Sequence, residues 1–337
     1  MKKPLVALAL AAASVLVLSG CSTGTAPAAA DGKVSVVATT NVYGDLAATI
    51  GGDRVSVTSL IDSLSQDPHS YEATARDRLA VRSAALVIEN GGGYDPFMED
   101  LLDGAKTPVI SAVEFNHDYP GNTGHTDHAD EHGSTPAPTA SADDHAGATP
   151  DHADEHAGHD HIEGFNEHVW FDPHTMIHLV EDIAHHLTEL DPKGEKQYTD
   201  GAASLTASLK DAEAQLAQIK EKAAGAGVFL TEPVPGYLAA AAGLTDRAPE
   251  GFATAVEEGT DVPPATLLAA IDVIKSGTVR AVLANEQTAG AETARVEQEA
   301  KAQNVAVVQF TEILPAGKSY SEWMRDAIDS LARAVGA

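Results

Sequence analysis

Imidazoles and carboxylates set among apolar residues are the side chains in this sequence whose types could do chemistry. His168 stands in E-G-F-N-E-H-V-W-F-D-P-H-T, residues 163–175, where Val169, Trp170 and Phe171 make the run apolar enough to bury a ring. His69 stands in D-P-H-S-Y-E, residues 67–72, a loop after an alternating apolar stretch. Glu232 and the trio Asn285, Glu286 and Gln287 each follow directly on an apolar run. Two imidazoles with one or two carboxylates form a suitable donor set for a divalent first-row metal. Singly, each position has a plainer explanation, such as a turn residue beside Pro68 or an acid that the helix dipole favours at a helix entry. Their shared place at the ends of apolar runs, or of the tract before residue 163, links them.

That tract spans residues 116–161 and holds nine histidines and ten acidic residues, with no lysine or arginine. D-H-A-D-E-H at 127–132 recurs word for word at 151–156. Poor apolar content and a Pro/Ala-rich centre predict a disordered loop. Imidazoles near carboxylates bind borderline metals weakly and in many registers. His125, His128, His132, His145, His152, His156, His159 and His161 are therefore candidates for accessory metal capture. A solvated spacer of biased composition is the plainer alternative.

The elements that must position these groups alternate. Apolar runs at 34–39, 54–60, 85–89 and 108–110 are predicted strands, separated by helical patterns. After the tract, Met176, Leu179, Val180, Ile183 and Leu187 make one helical stripe. Asp191-Pro192 reads as an N-cap followed by proline at the first helical position. Tyr198, Ala202, Leu205, Leu209, Ala212, Leu216 and Ile219 then recur at spacings of four and three, which predicts one helix of about thirty residues, roughly 45 Å long. Strands follow at 228–231, 279–284 and 305–310, with helices at 264–276, 292–303 and 320–335. The reading is an α/β fold of two lobes, each a largely parallel sheet flanked by helices, joined by one long rigid helix. Its boundaries are an N-terminal lobe at 33–190, the linking helix at 191–225 and a C-terminal lobe at 226–337. Ligands of such sheets sit beyond the carboxyl ends of the strands, where His69 falls.

Composition narrows the classes. Fifty acidic against 21 basic residues give a formal charge of −29, which argues against nucleic acid and against a basic membrane patch. No H-E-x-x-H cassette occurs, so the chain is not read as a metal hydrolase or any other enzyme. A haem or siderophore site would want an aromatic or basic cleft, and the chain has two tryptophans. At the N-terminus, Lys2 and Lys3 precede an apolar run at 5–18 that is too short to span a membrane comfortably. It ends in Leu18-Ser19-Gly20-Cys21, which resembles the lipobox of bacterial lipoproteins. Residues 1–20 are then a signal peptide, Cys21 the acylated residue and 21–32 a flexible tether, with the acyl chains as membrane anchor.

Taken together, the chain resembles the solute-binding lipoproteins of zinc/manganese ABC importers, the group called cluster A-I. The D-P-H-x-Y-E loop at 67–72 and the N-x-H-x-W-x-D-P segment of Asn166, His168, Trp170, Asp172 and Pro173 carry the likeness. The long linking helix, Thr231-Glu232 and Y-S-E-W-M at 320–324 extend it over the mature chain. The resemblance implies that His69 and His168 are metal ligands from the first lobe and Glu232 a third from the second. It implies a fourth acidic ligand after the second strand of the C-terminal lobe, for which Glu286 is the candidate. Asn285, Gln287 and Asp172 are candidates for supporting the ligands. It also implies a monomeric extracytoplasmic receptor, on the outer face of the cytoplasmic membrane or in a periplasm, that delivers metal to a permease with its ATPase. Glutamate at 232 is the habit of manganese- and iron-type members, whereas a histidine-rich loop is the habit of zinc-type members. Zinc is the expected ion and manganese the alternative. A surface zinc-storage or adhesin lipoprotein would share the lipobox and the loop.

Overall fold

The computed structural model describes residues 32–120, 122, 162 and 164–337. The first lobe runs β1 (Val34–Thr40), α1 (Asn41–Gly51), β2 (Val55–Ile61), α2 (Ala75–Ser83), β3 (Leu86–Glu89), α3 (Phe97–Leu102) and β4 (Val109–Ser111). Two helices follow, α4 (Pro173–Leu190) and α5 (Glu195–Ala223). The second lobe runs β5 (Gly227–Leu230), α6 (Gly236–Ala241), β6 (Thr245–Asp246), α7 (Phe252–Glu257), α8 (Pro264–Lys275), β7 (Val279–Asn285), α9 (Ala291–Ala302), β8 (Ala306–Phe310) and α10 (Tyr320–Val335).

Both sheets are wholly parallel and have the same strand order, β2-β1-β3-β4 and β6-β5-β7-β8. The direction of winding reverses beside β1 in one and beside β5 in the other. Loops leaving the carboxyl ends of neighbouring strands diverge there and leave a crevice. Apolar runs without alternation, such as Leu86–Glu89 and Gly227–Leu230, follow from burial on both faces. The short elements β6, α6 and α7 were not anticipated from the sequence, because each falls below the length at which periodicity is readable.

Helix α5 is the 29-residue rod that the spacing predicts. Its buried stripe is Tyr198, Ala202, Leu205, Leu209, Ala212, Leu216, Ile219 and Ala223. Asp191 does not cap it. Residues Pro192–Gly194 form a separate 3₁₀ turn, and the Asp191 carboxylate accepts from Arg54 Nε at 2.7 Å and from the Tyr198 hydroxyl at 2.9 Å. The strong pull of the guanidinium overrides the local capping preference and ties the start of the rod to the first sheet's edge.

One apolar core follows the rod through both lobes, from Val36, Leu46 and Ile88 past Trp170, Leu205 and Leu216 to Leu230, Leu283 and Trp323. Each sheet's other face has its own smaller cluster, Val37, Val87 and Met98 in the first and Phe229, Phe252 and Val282 in the second. Among the described residues no helix is long and apolar enough to cross a membrane.

Helices α1 and α5 approach so closely that a Cβ on Gly201 would stand 2.7 Å from Ile50 Cα and 2.9 Å from Ile50 O. Replacing a mid-helix glycine by alanine gains about 1 kcal/mol of helix propensity. Overpacking against backbone atoms costs about 1–3 kcal/mol and wins here. Gly201→Ala should therefore lower the midpoint of urea unfolding, and a raised midpoint would show that α1 and α5 separate freely.

Candidate metal centre

The crevice between the lobes receives side chains from the loops after β2, β5, β7 and β8 and from the segment before α4. His69 is aimed inward by a local turn. Asp67 accepts from the His69 backbone N–H at 3.0 Å and from the Ser70 hydroxyl at 2.7 Å. The ring lies edge-on to Tyr94, with centroids 4.9 Å apart. His168 is held by Asn166, whose Oδ1 accepts from the His168 N–H at 3.1 Å and lies 2.7 Å from Nδ1. Asn166 Nδ2 donates to the Pro233 carbonyl at 3.0 Å, which fixes Oδ1 as the acceptor and His168 Nδ1 as a donor. His168 Nε2 then carries the lone pair, the state a ligand needs. Tyr94 and Trp170 wall the ring on its apolar side, at centroid distances of 5.9 and 5.1 Å.

From the second lobe comes Glu312, two residues beyond β8. His69, His168 and Glu312 are 7%, 1% and 2% exposed, and each offers a ligand atom within 4.8 Å of the other two. His69 Nε2 stands 3.9 Å from Glu312 Oε2, and the Tyr94 hydroxyl is another polar group beside that carboxyl. A carboxylate and an imidazole nitrogen this close in a buried pocket favour a proton or a cation between them. Glu232 is beside this group: Asn285 Nδ2 donates to Glu232 Oε2 at 2.9 Å and to Glu312 Oε1 at 2.6 Å. Thr288 also donates to Glu232 through a short hydrogen bond.

The electrostatics match. Burial pushes the Glu312 carboxyl up to about 8, the nearby Glu232 adds to the rise, and the Asn285 amide opposes it. Burial likewise raises Glu232, against hydrogen bonds from Asn285 and Thr288. Two carboxyls in one buried crevice resist ionising together without a cation.

Of the residues singled out in the sequence, the crevice gathers His69 and His168, with Glu232 at its side. Glu286 is not there. It is exposed, its neighbour Asn285 turns inward, and the alternation along the strand end sends Glu286 outward. Gln287 again turns in, accepting from the Glu312 and Ile313 N–H groups at 2.7 and 3.2 Å and donating to the Gln66 carbonyl across the crevice at 3.2 Å. Asp172 sits outside the centre as the cap of α4, accepting from the His174 N–H at 3.3 Å and the Thr175 hydroxyl at 2.6 Å. Cys21 and the eight tract histidines lie outside the described residues. Glu312 was missed, although the sequence carried its signal. Thr231-Glu232 after β5 recurs as Thr311-Glu312 after β8, at equivalent places on the two sides of β7.

Comparison with known proteins accords with this architecture. The family described as ZnuA, zinc-uptake complex component A, periplasmic, matches residues 36–334. The zinc-binding lipoprotein AdcA of Streptococcus pneumoniae is 29% identical over 265 residues, which cover 76% of this chain and 46% of AdcA. The manganese ABC transporter substrate-binding lipoprotein PsaA of Streptococcus mitis is 34% identical over 97 residues, 28% of this chain and 31% of PsaA. The chain thus spans less than half the length of these curated relatives. The solved laminin-binding protein Lmb of Streptococcus agalactiae, described as having adhesin and metal-transporting activity, shares the fold. It has a TM-score of 0.65, 20% identity, and coverage of 90% of this chain and 99% of that one. With nearly its whole described length matched, the chain belongs to the family of zinc-uptake complex component A.

Proposed function

We propose that the protein is the extracytoplasmic receptor of an ABC importer, which captures zinc in the crevice between its lobes and hands it to a membrane permease. The observation that carries the reading is the convergence of His69, His168 and Glu312 to within 4.8 Å in a buried pocket. Glu232, joined to Glu312 through Asn285, completes a set of two imidazoles and two carboxylates. Four nitrogen and oxygen donors satisfy tetrahedral zinc. A site of this kind holds zinc more tightly than manganese on the general order of divalent affinities. Manganese is the second reading, favoured by the carboxylate at 232, because carboxylates suit that ion and can bind it through both oxygens.

The accessory parts fit a capture role. The histidine-rich tract at 116–161 acts as a tethered pool of weak sites that raises the zinc concentration at the crevice. Acylated Cys21 holds the monomeric receptor at the membrane beside its permease. A storage lipoprotein would have no need of a buried pocket built from both lobes, whereas an adhesin role is compatible with it, since Lmb combines the two activities on this fold.

Metal-stripped protein offered equal zinc and manganese should retain one zinc, with or without residues 121–161. Manganese winning, or no tight site without the tract, would overturn the zinc receptor reading. Glu312→Gln should weaken zinc binding about 10-fold or more, since even residues behind a ligand shell are worth that much. Glu286→Gln should leave zinc binding unchanged, and the reverse pattern would return Glu286 to the site.

Affinity should climb with pH through the histidine range and on towards 8, as imidazolium and the Glu312 carboxyl give up their protons. The metal-free protein should show the opposite slope in stability. A carboxyl raised to about 8 from 4.5 favours the folded state below 4.5, and that contribution is lost as pH rises to 8. Melting temperatures of metal-free protein from pH 5 to 8 should fall less steeply in Glu312→Gln. Equal slopes would place the buried charge elsewhere.

A further inference from the structure

His168 Nε2 faces a second carboxylate that the set above leaves unused. Glu257 Oε1 stands 3.8 Å from it, almost the separation of His69 Nε2 from Glu312 Oε2 at 3.9 Å. Each first-lobe imidazole thus has a second-lobe carboxylate across the crevice. At 3.8 Å the pair is too far apart for a hydrogen bond. The Nδ1–H given to Asn166 leaves Nε2 as an acceptor opposite an acceptor. Ligand atoms on a tetrahedral ion stand roughly 3.4 Å apart when the bonds are near 2.1 Å. A small inward movement of Glu257 therefore brings both atoms onto one cation. Glu167, His168 and Glu257 also hold ligand atoms within 4.8 Å of one another.

The mounting of Glu257 supports the same conclusion. It is the last residue of α7, where the helix dipole disfavours an acid. A cation nearby would offset that. Its side chain is 12% exposed, so it lies at the rim of the pocket rather than in open solvent. Gly251 and Gly259 bracket the helix, both at positive φ of 75° and 62°, and Phe252, against Phe229, packs it on the core beneath together with Ala255 and Val256. A carboxylate at the end of a short helix between two glycines can shift, while the His168 ring is held by its hydrogen bond to Asn166.

We propose that Glu257 is a metal-contacting residue, a carboxylate on a glycine-bracketed helix that closes on the ion from the His168 side and sets how many oxygens the ion receives. This rests on the metal-receptor reading of the same crevice. With Glu257 engaged, the ion has two nitrogens and three carboxylates, and its coordination number rises above four. Manganese gains more from added oxygens than zinc does, so Glu257 widens the range of ions held. Its departure opens one face and starts release.

The test uses purified protein with zinc, manganese and cobalt(II) as the probes. Glu257→Gln should weaken manganese about 10-fold and zinc less, and quicken loss of zinc to a chelator. It should also intensify the visible absorption of bound cobalt as its coordination falls towards tetrahedral. Glu257→Asp, which keeps the charge but shortens the reach, should lie between the two. Glu258→Gln should match the unaltered protein. His168→Ala separates the two claims. If it abolishes tight binding while Glu257→Gln and Glu257→Asp change neither affinities, cobalt spectrum nor release, Glu257 does not touch the ion and this inference fails. If His168→Ala itself keeps tight binding, the receptor reading of the crevice fails and this inference falls with it.

Discussion

The structure depends first on a core that does not stop at the lobe boundary. The buried stripe of α5 contributes to the first lobe near Tyr198 and Ala202 and to the second near Leu216 and Ile219, and the cluster between is unbroken. Two domains joined by a flexible strand pair can bend at little cost. Bending here would pull apart apolar surface worth roughly 25 cal/mol per Å² along the whole rod. The α1–α5 approach at Gly201 and the Arg54–Asp191–Tyr198 cluster fasten the rod further. The crevice is consequently a standing feature of the fold, and opening it falls to the loops and short helices at its rim.

Within that frame the site is a set of electron-rich groups held apart from water. Asn285 divides its amide between Glu232 and Glu312, Gln287 holds the Glu312 backbone, and Asn166 sets the tautomer of His168. These three amides set the geometry of the imidazole and carboxylates around them. The cost of burial falls on the metal-free protein, whose carboxyl at 312 is driven towards its neutral form. A divalent cation in the crevice would remove that cost.

Much of the fold was legible because long stripes and buried strands have strong periods, as in Met176 to Leu187 and Tyr198 to Ile219. Asp191 misled because its side chain is drawn to Arg54, 137 residues away in sequence, and no local rule contains that partner. At the site, His69 and His168 could be singled out because each lies in a distinctive local stretch, D-P-H-S-Y-E after an apolar run and H-V-W-F among buried side chains. Glu286 was the acidic residue following the second predicted strand of the C-terminal lobe, and alternation past Asn285 turns it outward. Glu312 stood after the next strand in a repeated Thr-Glu pair, readable only once the two strand ends are seen as equivalent. Glu257 lay in a six-residue helix with no period to read, and only the folded chain brings it to His168.

Asn166 belongs to both lobes at once. One end of its amide orients the His168 imidazole, the other is bound to the Pro233 carbonyl, and the Tyr237 hydroxyl donates to its own carbonyl at 2.7 Å. Registration of the lobes and readiness of a ligand are thereby a single degree of freedom. A docking partner that shifted residues 233–237 by an ångström would break hydrogen bonds worth about 1 kcal/mol each. The same shift would let the imidazole swing and change which nitrogen holds its proton. A twist at the surface would reach the His168 ring with the rod and its core left at rest.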